Sequence, residues 1–418
     1  MANKHFLSDF PEPEELRKSL LNNNFPLYRE SNGHIHTPFS FSAFPDMHTI
    51  FSSAKSEKIA VLGINDFFVT EGYNSFYQGS VRNKIFPLFN IEFIGLLKEE
   101  QKRRIRINDP NNPGRVYFSG KGLDYPFNPG WFQKMKLNNV IRESQNQMKA
   151  MISKLNKLIE PINPSLSLTY DEVKRRFARE LVRERHLAKA VRSMAVEKFS
   201  NPEEQVRFIE SLYGGIKSKA SPGDAAKLEN EIRSNLLKSG GAAFVEENES
   251  SFLDLKTIIN IIVKAGGIPC YPVLLDDASG KFTEYEKDRE KLHASLTALK
   301  VECIELIPGR NDLAILRDFV EFFDEKGYLI IFGTEHNTPE MIPLTVSARG
   351  QEILDEELKQ IAWNSVCVIA AHQYLRAQGR QGYVTPEGST HARQKRELTY
   401  LGKLVIEYFL ANKIEYDA

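Results

Sequence analysis

The chain has 418 residues with Lys+Arg and Asp+Glu both at 55, so no net charge points to a nucleic-acid or membrane-surface partner. A hydrophobic fraction of 41% with 27 Phe supplies a large core, and the length suits a barrel with insertions as well as several domains. Only Cys270, Cys303 and Cys367 occur, widely spaced, which argues against a disulfide framework or zinc ribbon and fits a reducing compartment.

Met1-Ala2-Asn3-Lys4-His5 leads into a polar segment with no apolar signal-peptide core, and the nearest apolar run, residues 257–263, is too short to span a bilayer. A soluble cytoplasmic protein is expected. A helix is predicted over residues 13–22. Gly33-His34-Ile35-His36-Thr37 follows as an extended segment, in which period-two alternation puts both imidazoles on one face, able to hold one metal ion between them. The competing reading is two histidines in a polar loop. Residues 39–57 read as a helix and its connections.

Residues 58–68, 84–93 (KIFPLFNIEF), 115–120 (RVYFSG), 266–275 (GGIPCYPVLL), 301–308 (VECIELIP) and 327–337 (GYLIIFGTEHN) are short apolar runs. With the opening stretch they make seven strands, and continuous apolar strands between helical stretches imply a parallel sheet covered on both faces. Six of the seven end in polar residues: His34 and His36, Asp66, Glu92, Lys121, Arg310, and Glu335-His336-Asn337. In α/β barrels and open α/β sheets chemistry gathers where strand carboxyl ends meet their loops, so the six define a shared mouth. As plain chain features they would be strand terminators and helix caps.

Residues 131–250 form an insertion rich in helix formers. It opens with a helix over 132–160, and Thr169-Tyr170-Asp171-Glu172 caps another that carries Lys174, Arg175, Arg176, Arg179, Arg183, Arg185, Lys189 and Arg192. Arg175, Arg179 and Arg183, spaced by four, form a ridge; with Glu180 and Glu184 beside it, a solvated face is the preferred reading over a phosphate-facing one. His186 reads as packed or surface. Further helices are expected over 202–213, 224–238 and 248–264, and at the C-terminus over 355–377 and 391–410, where His372 and His391 read as structural. No P-loop, Gly-x-Gly-x-x-Gly turn or Gly-x-Ser-x-Gly elbow occurs, which argues against nucleoside-triphosphate, dinucleotide and serine-hydrolase chemistry.

His34, His36, Glu92 and Glu335, or His336 in its place, are ligand types that suit zinc, manganese or iron. Asp66 is a further ligand, the base that takes a proton from a metal-bound water, or a carboxylate capping a turn. Lys121 and Arg310 are candidates to hold phosphate oxygens, or are exposed strand-end charges.

A first strand ending His-Ile-His-Thr, a second ending Gly-Ile-Asn-Asp, a third ending Asn-Ile-Glu and a late Gly-Thr-Glu-His-Asn resemble the PHP (polymerase and histidinol phosphatase) family over about residues 30–130 and 255–345. The resemblance implies a distorted barrel of seven strand-helix units, up to three metal ions at its mouth, and phosphoesterase activity on a phosphorylated small molecule. The implied organisation is a barrel from residues 1–130 and 251–350, a helical insertion at 131–250, and C-terminal helices at 351–418 packing on the barrel.

The chain departs from that pattern. Phe67 stands where Thr-Asp-His would place a histidine, residues 40–43 contain none, Tyr117 and Phe118 replace the fourth-strand histidine, and Cys270-Tyr271-Pro272 replaces Ala-His-Pro. In the last motif Glu335 aligns with the aspartate and Asn337 with the histidine, unless His336 substitutes by a one-residue shift. The retained His34, His36, Glu92 and Glu335 match one metal position, so a single divalent ion is expected, with a second possible only through Tyr271 or Asp66. Two alternatives stay open: an amidohydrolase- or uronate-isomerase-like enzyme with one metal, and a non-catalytic binding or scaffold barrel.

Overall fold

The computed structural model describes residues 6–20, 24–277, 280–390, 394–412 and 414. Seven strands lie side by side in chain order: β1 (Ser31–Ile35), β2 (Val61–Phe67), β3 (Phe86–Leu96), β4 (Arg115–Lys121), β5 (Ile268–Val273), β6 (Cys303–Leu306) and β7 (Leu329–Phe332). Just past β7, Ile35 and Glu335 bridge in parallel, and His36 N donates to Glu335 O at 2.8 Å, nearly closing the sheet into a barrel. The chain is thus mixed α/β with a barrel-like seven-stranded sheet.

The sheet is not all parallel, contrary to the expectation from its apolar strands. β4 runs antiparallel to both neighbours, with Ile91 opposite Gly120 and Ser119 opposite Cys270. The physical reason lies in the link from β3, whose only helix is the five-residue Lys98–Lys102; it is too short for a crossover helix, so the chain turns back beside β3. That reversal delivers the chain to the barrel's far end.

The 29-residue helix Trp131–Ile159 then returns it, a rise of about 43 Å. Its Leu137 and Val140 join the apolar cluster on the barrel's flank. Met148, Met151, Ile152, Leu155 and Ile159 join a separate cluster built wholly from residues between Met148 and Val245. The expected helix after Thr169 is two, Tyr170–Phe177 and Glu184–Lys198. Between them Leu181 and Val182 are buried, and Leu181 N bonds Phe39 O at 3.3 Å, so docking onto the barrel loop overrides helix propensity. The predicted 248–264 helix begins only at Leu255, where Asp254 caps Thr257 N.

Helix Glu356–Ala377 lies across the strand N-terminal ends. Gln373 bonds Phe89 N at 2.8 Å and Pro87 O at 3.1 Å, and His372 Nε2 meets Gly266 O at 2.6 Å. Ser365 Oγ accepts from Ile330 N, filling a ladder position on β7. Helix Lys395–Ala411 packs on it; the start of the predicted 391–410 helix, with His391, lies outside the described residues, as do Met1 to His5 and residues 21–22 of the predicted first helix. Among the described residues no helix is long and apolar enough to cross a membrane.

Candidate metal centre

Strand alternation sends His34 and His36 to the same side of β1, where their Nε2 atoms stand 3.2 Å apart. From β3, Glu92 brings Oε2 to 3.1 Å from His36 Nε2 and 4.0 Å from His34 Nε2. One ligand atom from each of the three residues falls within 4.8 Å of the others, and all three side chains are buried. Glu92 Oε2 is fully enclosed and has no hydrogen-bond partner among the described residues. A buried carboxylate oxygen left unbonded beside two facing imidazole nitrogens fits a cation, which would take all three lone pairs.

A second ring of side chains orients these ligands. Glu305 on β6 brings Oε1 to 3.0 Å from His34 Nδ1, so Nδ1–H donates to it and the lone pair falls on Nε2, which the Asn65 amide nitrogen also approaches at 3.1 Å. Ser119 Oγ donates to Glu305 Oε2 at 3.2 Å, and the Lys121 ammonium pairs with Glu305 Oε1 and donates to Asn65 Oδ1 at 3.2 Å. On the other ligand, His36 Nδ1 lies 3.2 Å from Ser40 Oγ, which donates to Asp66 at 2.6 Å. The His36 ring stacks on Phe67, with centroids 4.7 Å apart.

Burial dominates the electrostatics. It lowers the pKa of both imidazoles, His36 to about 3 with Arg183 assisting, so both are neutral and can ligate near neutral pH. It raises Glu92 to about 7. Burial also works against the Glu305 carboxylate, but His34 and Lys121 overcome it and hold Glu305 down to about 2.

Several residues marked in the sequence stand elsewhere. Asp66 lies on the Nδ1 side of His36, 4.0 Å from that atom, and accepts from Thr37 N at 2.7 Å as well as from the Thr37 and Ser40 hydroxyls, so it caps the turn after β1. Lys121 is fully buried beneath the cluster, its ammonium spent on Glu305 and Asn65, so it does not hold phosphate oxygens. Its position follows from the reversed β4. Glu335 pairs with Arg310, accepts from Asn337 at 2.9 Å and stands outside the cluster. His336 turns away: Nδ1 lies 2.8 Å from Thr334 Oγ1, Nε2 lies 2.9 Å from Ile342 O, and its ring stacks on Phe44. Glu335 and His336 both adopt positive φ, 67° and 54°, which swings the segment off the strand. Tyr271 donates to Glu286 at 2.9 Å and offers no second-metal ligand.

The cluster opens into a cleft of about 1460 Å³. Glu92, Tyr117 and Arg310 line its barrel side, and Arg183, Arg185 and Lys238 line the side made by the insertion. The Arg183 guanidinium sits 4.7 Å above the Phe67 ring. The solvated-face reading of this part of the ridge is therefore corrected for Arg183: it borders the cleft because the helix breaks before it. Glu305, Asn65 and Ser119 were not singled out in the sequence. For Glu305 the signal was there, a charged residue inside the apolar VECIELIP on the same face as Cys303.

No family model matches the sequence, and no curated protein matches it. Among solved structures, a protein from Bifidobacterium adolescentis, provisionally assigned as a metal-dependent phosphoesterase, superposes with TM-score 0.51 at 14% identity over 80% of this chain and 95% of that one. An amidohydrolase from Chromobacterium violaceum, solved with bound sulfate and no metal, aligns with TM-score 0.46 at 16% identity over 80% of this chain and 96% of its own. At such identity the first likeness shows a shared fold. The class defined here is a barrel-like α/β protein with a buried His-His-Glu cluster at its mouth; in particular, the chain shares the fold of the provisionally assigned phosphoesterase.

Proposed function

We propose that the chain is a metal-dependent hydrolase of PHP type that acts on a phosphorylated small molecule, with one zinc, manganese or iron ion held by His34, His36 and Glu92. The observation that carries this reading is the buried, unbonded Glu92 Oε2 facing the two Nε2 atoms. A bound divalent cation supplies acidity to a water and polarises a phosphoryl oxygen. Glu305 and Ser40 fix the two imidazoles, so the ligands need no reorganisation when the cation arrives. Arg183 and Arg310 border the cleft, and their planar forks suit the oxygens of a phosphate ester. For Arg310 this requires exchanging Glu335 for substrate. In this reading the insertion, residues 131–250, caps the mouth and keeps bulk water from it.

The test is a panel of phosphate esters assayed after chelation and again after adding zinc, manganese or ferrous ion. Turnover that is lost with the metal and restored by it supports the proposal. Turnover of amides or sugar acids, with none of phosphate esters, replaces it with the amidohydrolase-like reading.

A further inference from the structure

The charge pattern under the cluster carries a second conclusion, which rests on the reading of His34, His36 and Glu92 as metal ligands. Lys121 and Glu305 are among the most deeply buried charged residues of the chain, at 0% and 1% exposure, in direct ion-pair contact inside the barrel. A buried ion pair is costly to desolvate and is weak evidence for stability, so its presence calls for another explanation. Around the ammonium stand oxygens of the kind that bind hard cations. Glu305 Oε1 and Asn65 Oδ1 contact Nζ, and Ser119 Oγ lies one bond further, donating to Glu305 Oε2 and accepting from Asn65 Nδ2 at 3.3 Å. Glu305 also touches His34 Nδ1, one imidazole away from the Nε2 atoms that face Glu92.

We propose that the Lys121 ammonium is the second cation of this centre: it occupies the oxygen nest of Glu305 and Asn65, which Ser119 braces, so the site is built for a single divalent ion. Charge counting gives the mechanism. Lys121 pairs with Glu305, which leaves Glu92 as the carboxylate that faces the two imidazoles and the first ion. A second divalent ion beside the fixed ammonium would meet like-charge repulsion at a buried position where screening is weak. The ammonium also holds Glu305 in place to accept from His34 Nδ1, so Lys121 is a positioning residue for the metal ligand and touches no substrate.

The experiment measures bound metal per chain by elemental analysis after saturating full-length protein with manganese and removing free ion. Wild type and Lys121→Arg are expected to hold one ion. Lys121→Ser, which vacates the nest, is expected to hold two, and adding Glu305→Gln to it returns the count to one. Thermal unfolding is the second readout: Lys121→Met, with similar bulk and no charge, is expected to melt below wild type without metal and to gain more from manganese than wild type does. Two ions in wild type, or one in folded Lys121→Ser and no extra manganese gain in Lys121→Met, overturns the proposal. Failure of both variants to fold in manganese-supplemented medium also overturns it, because a second ion should replace the lost charge. If His34→Ala/His36→Ala retains all the metal of wild type, the underlying reading of the ligands fails instead.

Discussion

Glu305 Oε1 and His34 Nδ1 lie 3.0 Å apart, joining β6 to β1 across the barrel interior. That contact fixes the tautomer of a proposed metal ligand from outside the proposed ligand set. Replacing Glu305 by Gln leaves the volume but weakens the acceptor, and is expected to lower metal affinity about 10- to 100-fold. Titration with a fluorescent metal indicator in competition checks it; unchanged affinity would remove Glu305 from the centre.

Metal affinity should depend on pH through Glu92. Burial raises this carboxyl to about 7, whereas it lowers both imidazoles, so only Glu92 must lose a proton as the ion enters. Affinity is expected to rise as pH increases toward about 7 and to level off above it. Calorimetry in buffers of different ionisation enthalpy should find ~1 proton released per ion near pH 6. No proton release there would mean that the carboxylate is already ionised in the free protein.

Arg183 is expected to act on substrate and not on the ion. Arg183→Ala should raise KM for phosphate esters about tenfold or more, the scale of one hydrogen bond to a charged group, with metal content unchanged. Steady-state kinetics beside elemental analysis separates the two effects. Metal loss in this variant would place the guanidinium in the centre itself.

The C-terminal helices are tied to the barrel through a close approach. A Cβ at Gly402 would run into the Cys367 carbonyl, so the two helices cross where only glycine fits. Gly402→Ala is expected to destabilise by roughly 1–3 kcal/mol, the usual scale of overpacking, as read by denaturant unfolding. No change in the midpoint would show that the helix pair adjusts freely.

Six of the seven strands were legible because a buried strand must be an apolar run bounded by polar residues, and β1, Ser-Asn-Gly-His-Ile, only through its alternating histidines. The direction of β4 was not, since it depends on the length of its connection rather than on its own residues. Facing was the second gap. Asn65 and Asp66 are adjacent polar residues at a strand end, and strand parity alone decides that Asn65 meets His34 and Lys121 while Asp66 caps the β1 turn. His34, His36 and Glu92 could be picked out because the first two alternate and the third is the one charged residue inside an apolar run, although β3 continues past it to Leu96. Glu335 and His336 shared that signature, and the left-handed backbone after β7 turned them aside. Gly333 permits the close approach of this segment to β1: a Cβ there would strike His34. The break before Arg183 was hidden because arginine and glutamate favour helix, and only docking of Leu181 and Val182 ends it.

The most direct measurement is the metal content of the purified protein and of His34→Ala/His36→Ala, by elemental analysis after growth in supplemented medium, with phosphate-ester turnover measured on the same samples. The account predicts a single divalent ion in wild type, and loss of both ion and turnover in the double variant. Metal-free wild type with full thermal stability and no turnover would contradict it, as would a double variant that keeps its ion and its activity.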